Sequence, residues 1–128
     1  MVRWPFVSQI NHKLKIMELS KSDKKAARII IEKGLSQEFV NGLKEFSKIL
    51  KNWEEKKSDN RETYHTLYKS IRDFDKHIAR LYDNMTGSHY LFIIVAQLRT
   101  GVVNDSDLDG LSEGSRERIR TILSFDND

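Results

Sequence analysis

The chain has 128 residues, 38% hydrophobic and 32% charged, with one proline, six glycines and no cysteine. That length suits one domain that buries a core without covalent staples, and the missing cysteines exclude disulfides, thiolate zinc sites and cysteine nucleophiles. The net charge of +3 is uneven: residues 1–60 hold 13 Lys/Arg against 8 Asp/Glu, while residues 101–128 hold 3 against 7.

The pattern predicts helices throughout. Helix A begins at Pro5, a residue suited to a first helical turn, and carries Phe6, Ile10, Leu14 and Met17 on one face. Ser20 and Asp23 have capping-box spacing and mark a restart. Helix B then runs from about Ser22 to Lys33 with Ala27, Ile30 and Ile31 inward and Gly34 as its left-handed cap. One bent helix from Pro5 to Lys33 is the alternative. Ser36 is the expected N-cap of helix C, whose buried stripe is Phe39, Leu43, Phe46, Leu50 and Trp53, joined by Val40 and Ile49. Gly42 interrupts that helix, where it lets a neighbour approach closely.

Asp59 and Glu62 repeat the capping-box spacing and open helix D. Its Tyr64, Leu67, Ile71, Phe74, Ile78, Leu81 and Met85 alternate steps of three and four, a heptad seam that Tyr68 and Tyr82 flank and widen, as an outer stripe open to another protomer. Thr86–Gly87 ends it and Ser88 caps the next. Helix E, from about His89 to Thr100, is apolar on nearly every side and is expected at the centre of the bundle beside D. A short buried strand over Tyr90 to Ala96 is the rival reading, against which the Gly101 cap and the flanking helices weigh. An acidic connection, Val102 to Gly110, leads to helix F, capped by Ser112, with Ile119, Ile122 and Leu123 inward. The expected fold is a single-domain, all-α bundle over residues 1–128, with five or six helices around a central hydrophobic helix.

Several motifs carry potential chemistry. Asp105, Asp107, Asp109 and Gly110 reproduce the opening of a calcium loop, but its twelfth position is Arg116 where a bidentate glutamate belongs, so helix capping, with Ser106 and Ser112 as N-caps, explains the acids better. Glu62 and His65 form one Glu-x-x-His unit, of which a di-iron bundle needs two. His12, His65, His77 and His89 are scattered, and no phosphate-binding glycine loop or dinucleotide fingerprint is present. No metal site and no cofactor are therefore expected. Lys13, Lys15, Lys21, Lys24, Lys25 and Arg28 form the basic patch that nucleic-acid binding would need, although an ordinary solvated lysine face has the same composition. No run is long enough for a membrane span and the first residues lack signal-peptide architecture, so a cytoplasmic location is expected.

Arg72-Asp73-Phe74-Asp75-Lys76-His77 resembles the Arg-x4-His motif of the HEPN-domain ribonucleases, with a polar residue after the arginine. Ala79 stands where that family often has tyrosine. The resemblance implies RNA cleavage, with Arg72 stabilising phosphate charge and His77 acting as acid and base, usually across a dimer of such helices. The leading expectation is instead a non-enzymatic interaction or accessory subunit that works through protein contacts or self-association. The ribonuclease comes second and a basic nucleic-acid-binding module third.

Overall fold

The computed structural model describes residues 19–83 and 85–125. Among them the chain forms α1 (Lys21–Glu54), α2 (Asn60–Tyr82), α3 (Tyr90–Thr100) and α4 (Glu113–Ser124), with 3-10 helices at Gly87–His89 and Asp105–Gly110. No strand occurs among the described residues, so the fold is all-α and the Tyr90 to Ala96 run is helical. The expected helix A, with Lys13 and Lys15, lies outside them. The chain groups into two compact units, one from residues 19–34 and 85–125, the other Leu35–Asp83.

The first unit has a conventional core. Ala27, Ile30 and Ile31 of α1, Leu91, Ile93, Ile94 and Val95 of α3, and Ile119 and Ile122 of α4 are all buried. The loop residues Val102, Val103, Leu108 and Leu111 join them. Helix α3 is the hydrophobic centre of this unit, as its unbroken apolar run predicts. It ends at Gly101, whose φ of 81° is open to glycine at little steric cost, and Val102 N–H donates to the Gln97 carbonyl at 3.1 Å in the manner of a Schellman cap.

Two buried polar side chains tie distant segments of this unit together. Ser20 caps α1 by accepting from Asp23 N–H at 3.0 Å, as its spacing predicts. The Asp23 carboxylate does not reach back to complete the box. It accepts instead from Ser112 N–H at 2.8 Å, from Ser112 Oγ at 2.6 Å and from Ser115 Oγ, so it caps the start of α4 from another helix. Burial pushes the Asp23 carboxyl up, but the Ser112 and Ser115 hydroxyls, the Ser112 N–H and the charge of Arg118 together hold it below its ordinary value. Gln97, fully buried on α3, donates from Nε2 to the Ile31 carbonyl at 3.0 Å.

Gln97 also explains the main departure from the expected elements. Gly34 does not cap a helix and Ser36 does not start one, because α1 runs unbroken through both. The bare Gly34 backbone gives the Gln97 amide its place: a Cβ there would lie 2.6 Å from Gln97 Cδ and 3.0 Å from Val103 Cγ1. Glycine at 34 serves close packing inside a helix whose turns before and after hold it in register. Two further corrections concern caps. Ser88 lies within the 3-10 turn that follows Thr86, and Asn104 rather than Ser106 caps the acidic 3-10 helix, in a reciprocal box with Asp107.

In the second unit, Asp59 caps α2 by accepting from Glu62 N–H at 2.7 Å, as predicted. The rest of α1 and α2 form two helices joined by a short turn in which Lys56 has a φ of 58°. The stripe predicted to be buried on helix C is not. Phe39, Val40, Leu43, Leu50 and Trp53 are exposed, as are Tyr64, Ile71 and Met85 of the seam predicted for helix D. Helix D is therefore not a second bundle centre. Tyr82, read as an outer residue, is buried.

Replacing Asp23 with asparagine should cost about 1–3 kcal/mol at neutral pH, because the hydrogen bonds at the start of α4 lose their charged acceptor. The carboxyl is depressed in the folded state, so its contribution is present above its ordinary value of 3.8 and is lost as pH falls through the lower folded value. Urea unfolding of wild type and Asp23→Asn should therefore show a gap that narrows below that pH; a gap constant from neutral pH into strong acid would contradict this role.

Candidate interaction surface

The hairpin of residues 35–83 is held along one seam. The Phe74 ring of α2 lies over Gly42 of α1, 2.7 Å from where a Cβ would stand, and meets Phe39 and Phe46 edge-on at centroid distances of 5.6 and 5.9 Å. The close approach that Gly42 implied is therefore real. On the same seam Nε2 of His77 donates to Oε1 of the buried Glu38 at 3.1 Å. At the turn, Trp53 Nε1 donates to Asn60 Oδ1 at 2.7 Å.

These contacts orient both helices. At about 100° per residue, Phe39, Leu43 and Leu50 lie to one side of the Gly42 line, and Tyr64, Tyr68 and Ile71 lie to the corresponding side of the Phe74 line. Because the helices are antiparallel, those two sides form the same broad face of the hairpin. The exposure matches: Leu43 is 64% exposed, Tyr64 65%, Tyr68 58% and Phe39 47%. Leu50, Trp53 and Ile71 extend the patch. A run of large apolar and aromatic side chains on one side of a two-helix hairpin exceeds the scatter that an ordinary surface shows.

Sequence reasoning assigned most of these residues to the core, and only Tyr68 was read as an outer residue. The missed signal lay in arc width: each helix carries an apolar arc wider than one glycine-lined seam can cover.

The residues singled out for chemistry are dispersed. Arg72 and His77 are both exposed on α2, and five residues of regular helix turn them roughly 140° apart. The Arg72 guanidinium lies 5.9 Å from the Tyr68 ring centroid, whereas His77 points to the seam and Glu38. Glu38 Oε2 is buried and accepts no hydrogen bond from the described residues. Of the basic patch, Lys21 and Lys25 are exposed, Lys24 lies along Gly87, and Arg28 is engaged by Tyr90, donating to its hydroxyl at 2.8 Å while stacking over its ring at 5.7 Å.

Glu62 and His65 lie exposed in the first turns of α2. In the acidic connection, Asp107 is drawn below its ordinary value by its hydrogen bond from Lys33, with Asn104 N–H adding to the effect. Its carboxylate is thus committed to Lys33 and to the cap. No group of three or more metal-ligating side chains occurs among the described residues, and none of their helices is long and apolar enough to cross a membrane.

No family model matches the chain, and no curated protein or solved structure is significantly similar to it.

The seam itself can be tested. Alanine is a better helix former than glycine by about 1 kcal/mol, so Gly42→Ala would stabilise an isolated helix. Against the Phe74 ring the new methyl is overpacked, which costs typically 1–3 kcal/mol. The net result expected in urea unfolding is a loss of stability, and a gain would mean that Phe74 does not lie on Gly42.

Proposed function

We propose that this protein works by contact, as a small interaction or accessory subunit that offers the apolar face of the Leu35–Asp83 hairpin to a protein partner. The observation that carries this reading is the exposure of Phe39, Leu43, Leu50, Tyr64, Tyr68 and Ile71 on one side of two helices. Leaving such surface in water forgoes roughly 25 cal/mol for each square ångström that a partner would cover. The chemistry of the patch also suits a binding site. Tyrosine, tryptophan, phenylalanine and arginine are the side chains enriched at interfaces, and Arg72 beside Tyr68 places a cation at the rim.

The test compares tagged wild type with Leu43→Glu and Tyr68→Glu variants, purified from the native cells under identical conditions. Both positions are exposed, so helix content by circular dichroism should be unchanged. One or more stoichiometric protein partners, a second copy included, should be retained by wild type and depleted at least about tenfold in the variants, the effect of 1.4 kcal/mol or more. Identical partner profiles would retire the reading.

A second reading, the ribonuclease, draws on one observation: His77 is held by a buried carboxylate, the kind of support that orients a general base. It also requires Arg72 at the same phosphate, which a regular helix disfavours within one chain. Incubation with structured and unstructured RNA, beside Arg72→Ala and His77→Ala, tests it. Cleavage abolished in both variants would support the enzyme; no cleavage, or activity that survives both changes, would dismiss it.

A further inference from the structure

We propose that the occupant of the hairpin face is a second copy of this chain, so that two Leu35–Asp83 hairpins form an antiparallel four-helix bundle with α1 of one copy lying on α2 of the other. This rests on the contact reading and names its partner.

The hairpin is half a bundle by its own burial. Among residues 35–83, Tyr82 is the only large apolar side chain that is buried; Phe46, Ile49, Leu67, Phe74, Ile78 and Leu81 remain partly exposed. Two helices have one line of contact and cannot surround a side chain placed on it, so a packed core needs a further layer. The missing layer must be about two helices wide and roughly 30 Å long, to match helices of some twenty residues at 1.5 Å per residue. A second hairpin has those dimensions. The exposed apolar side chains of the face, at the 150–250 Å² typical of large side chains scaled by their exposure, offer roughly 550–900 Å² per copy. A standard stable interface takes about 800 Å² from each partner.

The margins of the face choose between the two ways of stacking such hairpins. Along the α1 edge stand Ser36, Val40, Ser47, Lys51 and Glu54, and along the α2 edge stand Arg61, Arg72 and Asp75. A two-fold axis parallel to the helices lays α1 of one copy over α2 of the other. It sets Glu54 level with Arg61 of the other copy, since both lie beside the turn. The alternative axis, across the helices, stacks α2 antiparallel on α2, which sets Arg72, near the middle of that helix, against Arg72 of the other copy and parts Glu54 from Arg61. Charge complementarity favours the first and like-charge contact disfavours the second.

The absence of cysteine makes the test direct. Purified full-length chain should sediment at about twice its 15.0 kDa mass at micromolar concentration. Leu43→Glu and Tyr68→Glu, made separately so that a folding defect in one leaves the other informative, should each weaken the dimer at least about thirtyfold with helix content preserved. For register, chains carrying Glu54→Cys and chains carrying Arg61→Cys are mixed and mildly oxidised. The mixture should give a disulfide-linked dimer that neither variant gives alone. A chain that stays monomeric up to about 100 μM, weaker than any dissociation constant expected for a stable interface, would overturn the proposal. So would a dimer unaffected by both glutamate variants, or a mixture in which the two cysteine variants do not cross-link to each other. If the purified chain is monomeric yet loses a different native partner in the same variants, the second copy is refuted and the contact reading stands. If neither association depends on the face, both fall.

Discussion

Two α-helices laid side by side share a single line of contact, and what lies on either side of that line must meet something else. In the Leu35–Asp83 hairpin the line is set by Gly42, where the absence of a Cβ brings the Phe74 ring onto the α1 backbone. Once Phe74 is seated between Phe39 and Phe46, the rotation of both helices is fixed. Leu43 and Leu50 then turn to the same side as Tyr64, Tyr68 and Ile71, and no other rotation keeps the seam. The exposed face thus follows from how the seam is packed, and no surface residue has to be chosen independently to create it.

The first unit resolves the same problem differently. There α3 is apolar around most of its circumference, and α1, α4 and the loop through Val103 and Leu108 contribute buried side chains to the core with it. Burial of that completeness forces the polar groups inside to find partners, because an unpaired one would forfeit about 1–3 kcal/mol. Asp23 meets this demand with three hydrogen bonds from residues about ninety positions away, at the N-terminus of α4, where a negative charge is also favoured by the helix dipole. Gln97 meets it with the Ile31 carbonyl, and it fits only because residue 34 is glycine. A core closed by specific polar ties is a poor place for an adaptable binding surface.

Local chemistry in the sequence was legible where it acts within a few residues. Asp59 before α2, Ser112 before α4, Gly101 after α3 and the restart at Ser20 all follow from capping rules that operate over one turn. The hydrophobic character of α3 was legible for the same reason. Gly34 was misread because glycine has two uses, a left-handed cap and a close approach, and only the position of Gln97, 63 residues further on, decides between them. The exposure of Phe39 and Leu43 was hidden by a similar gap. Periodicity tells which residues share a helix face but not whether a partner covers it. A heptad stripe is the same whether it is buried within a chain or between chains.

The same geometry bears on the arginine–histidine motif. Cleavage of a phosphodiester by that pair requires a cationic group and an acid–base group at one phosphate. A continuous α-helix turns residues five apart roughly 140° away from each other, and α2 shows no break between Arg72 and His77. Nor does face-to-face pairing of the hairpins correct this. Arg72 lies at the margin of the apolar face beside Tyr68, whereas His77 is on the far side of the seam from that face, tied to Glu38. Stacking a second copy on the face would bring an arginine to the interface and leave the imidazole away from it. The contact reading and the composite-nuclease reading therefore call for different surfaces of α2. The exposed aromatic and aliphatic side chains lie on the surface that the first one needs.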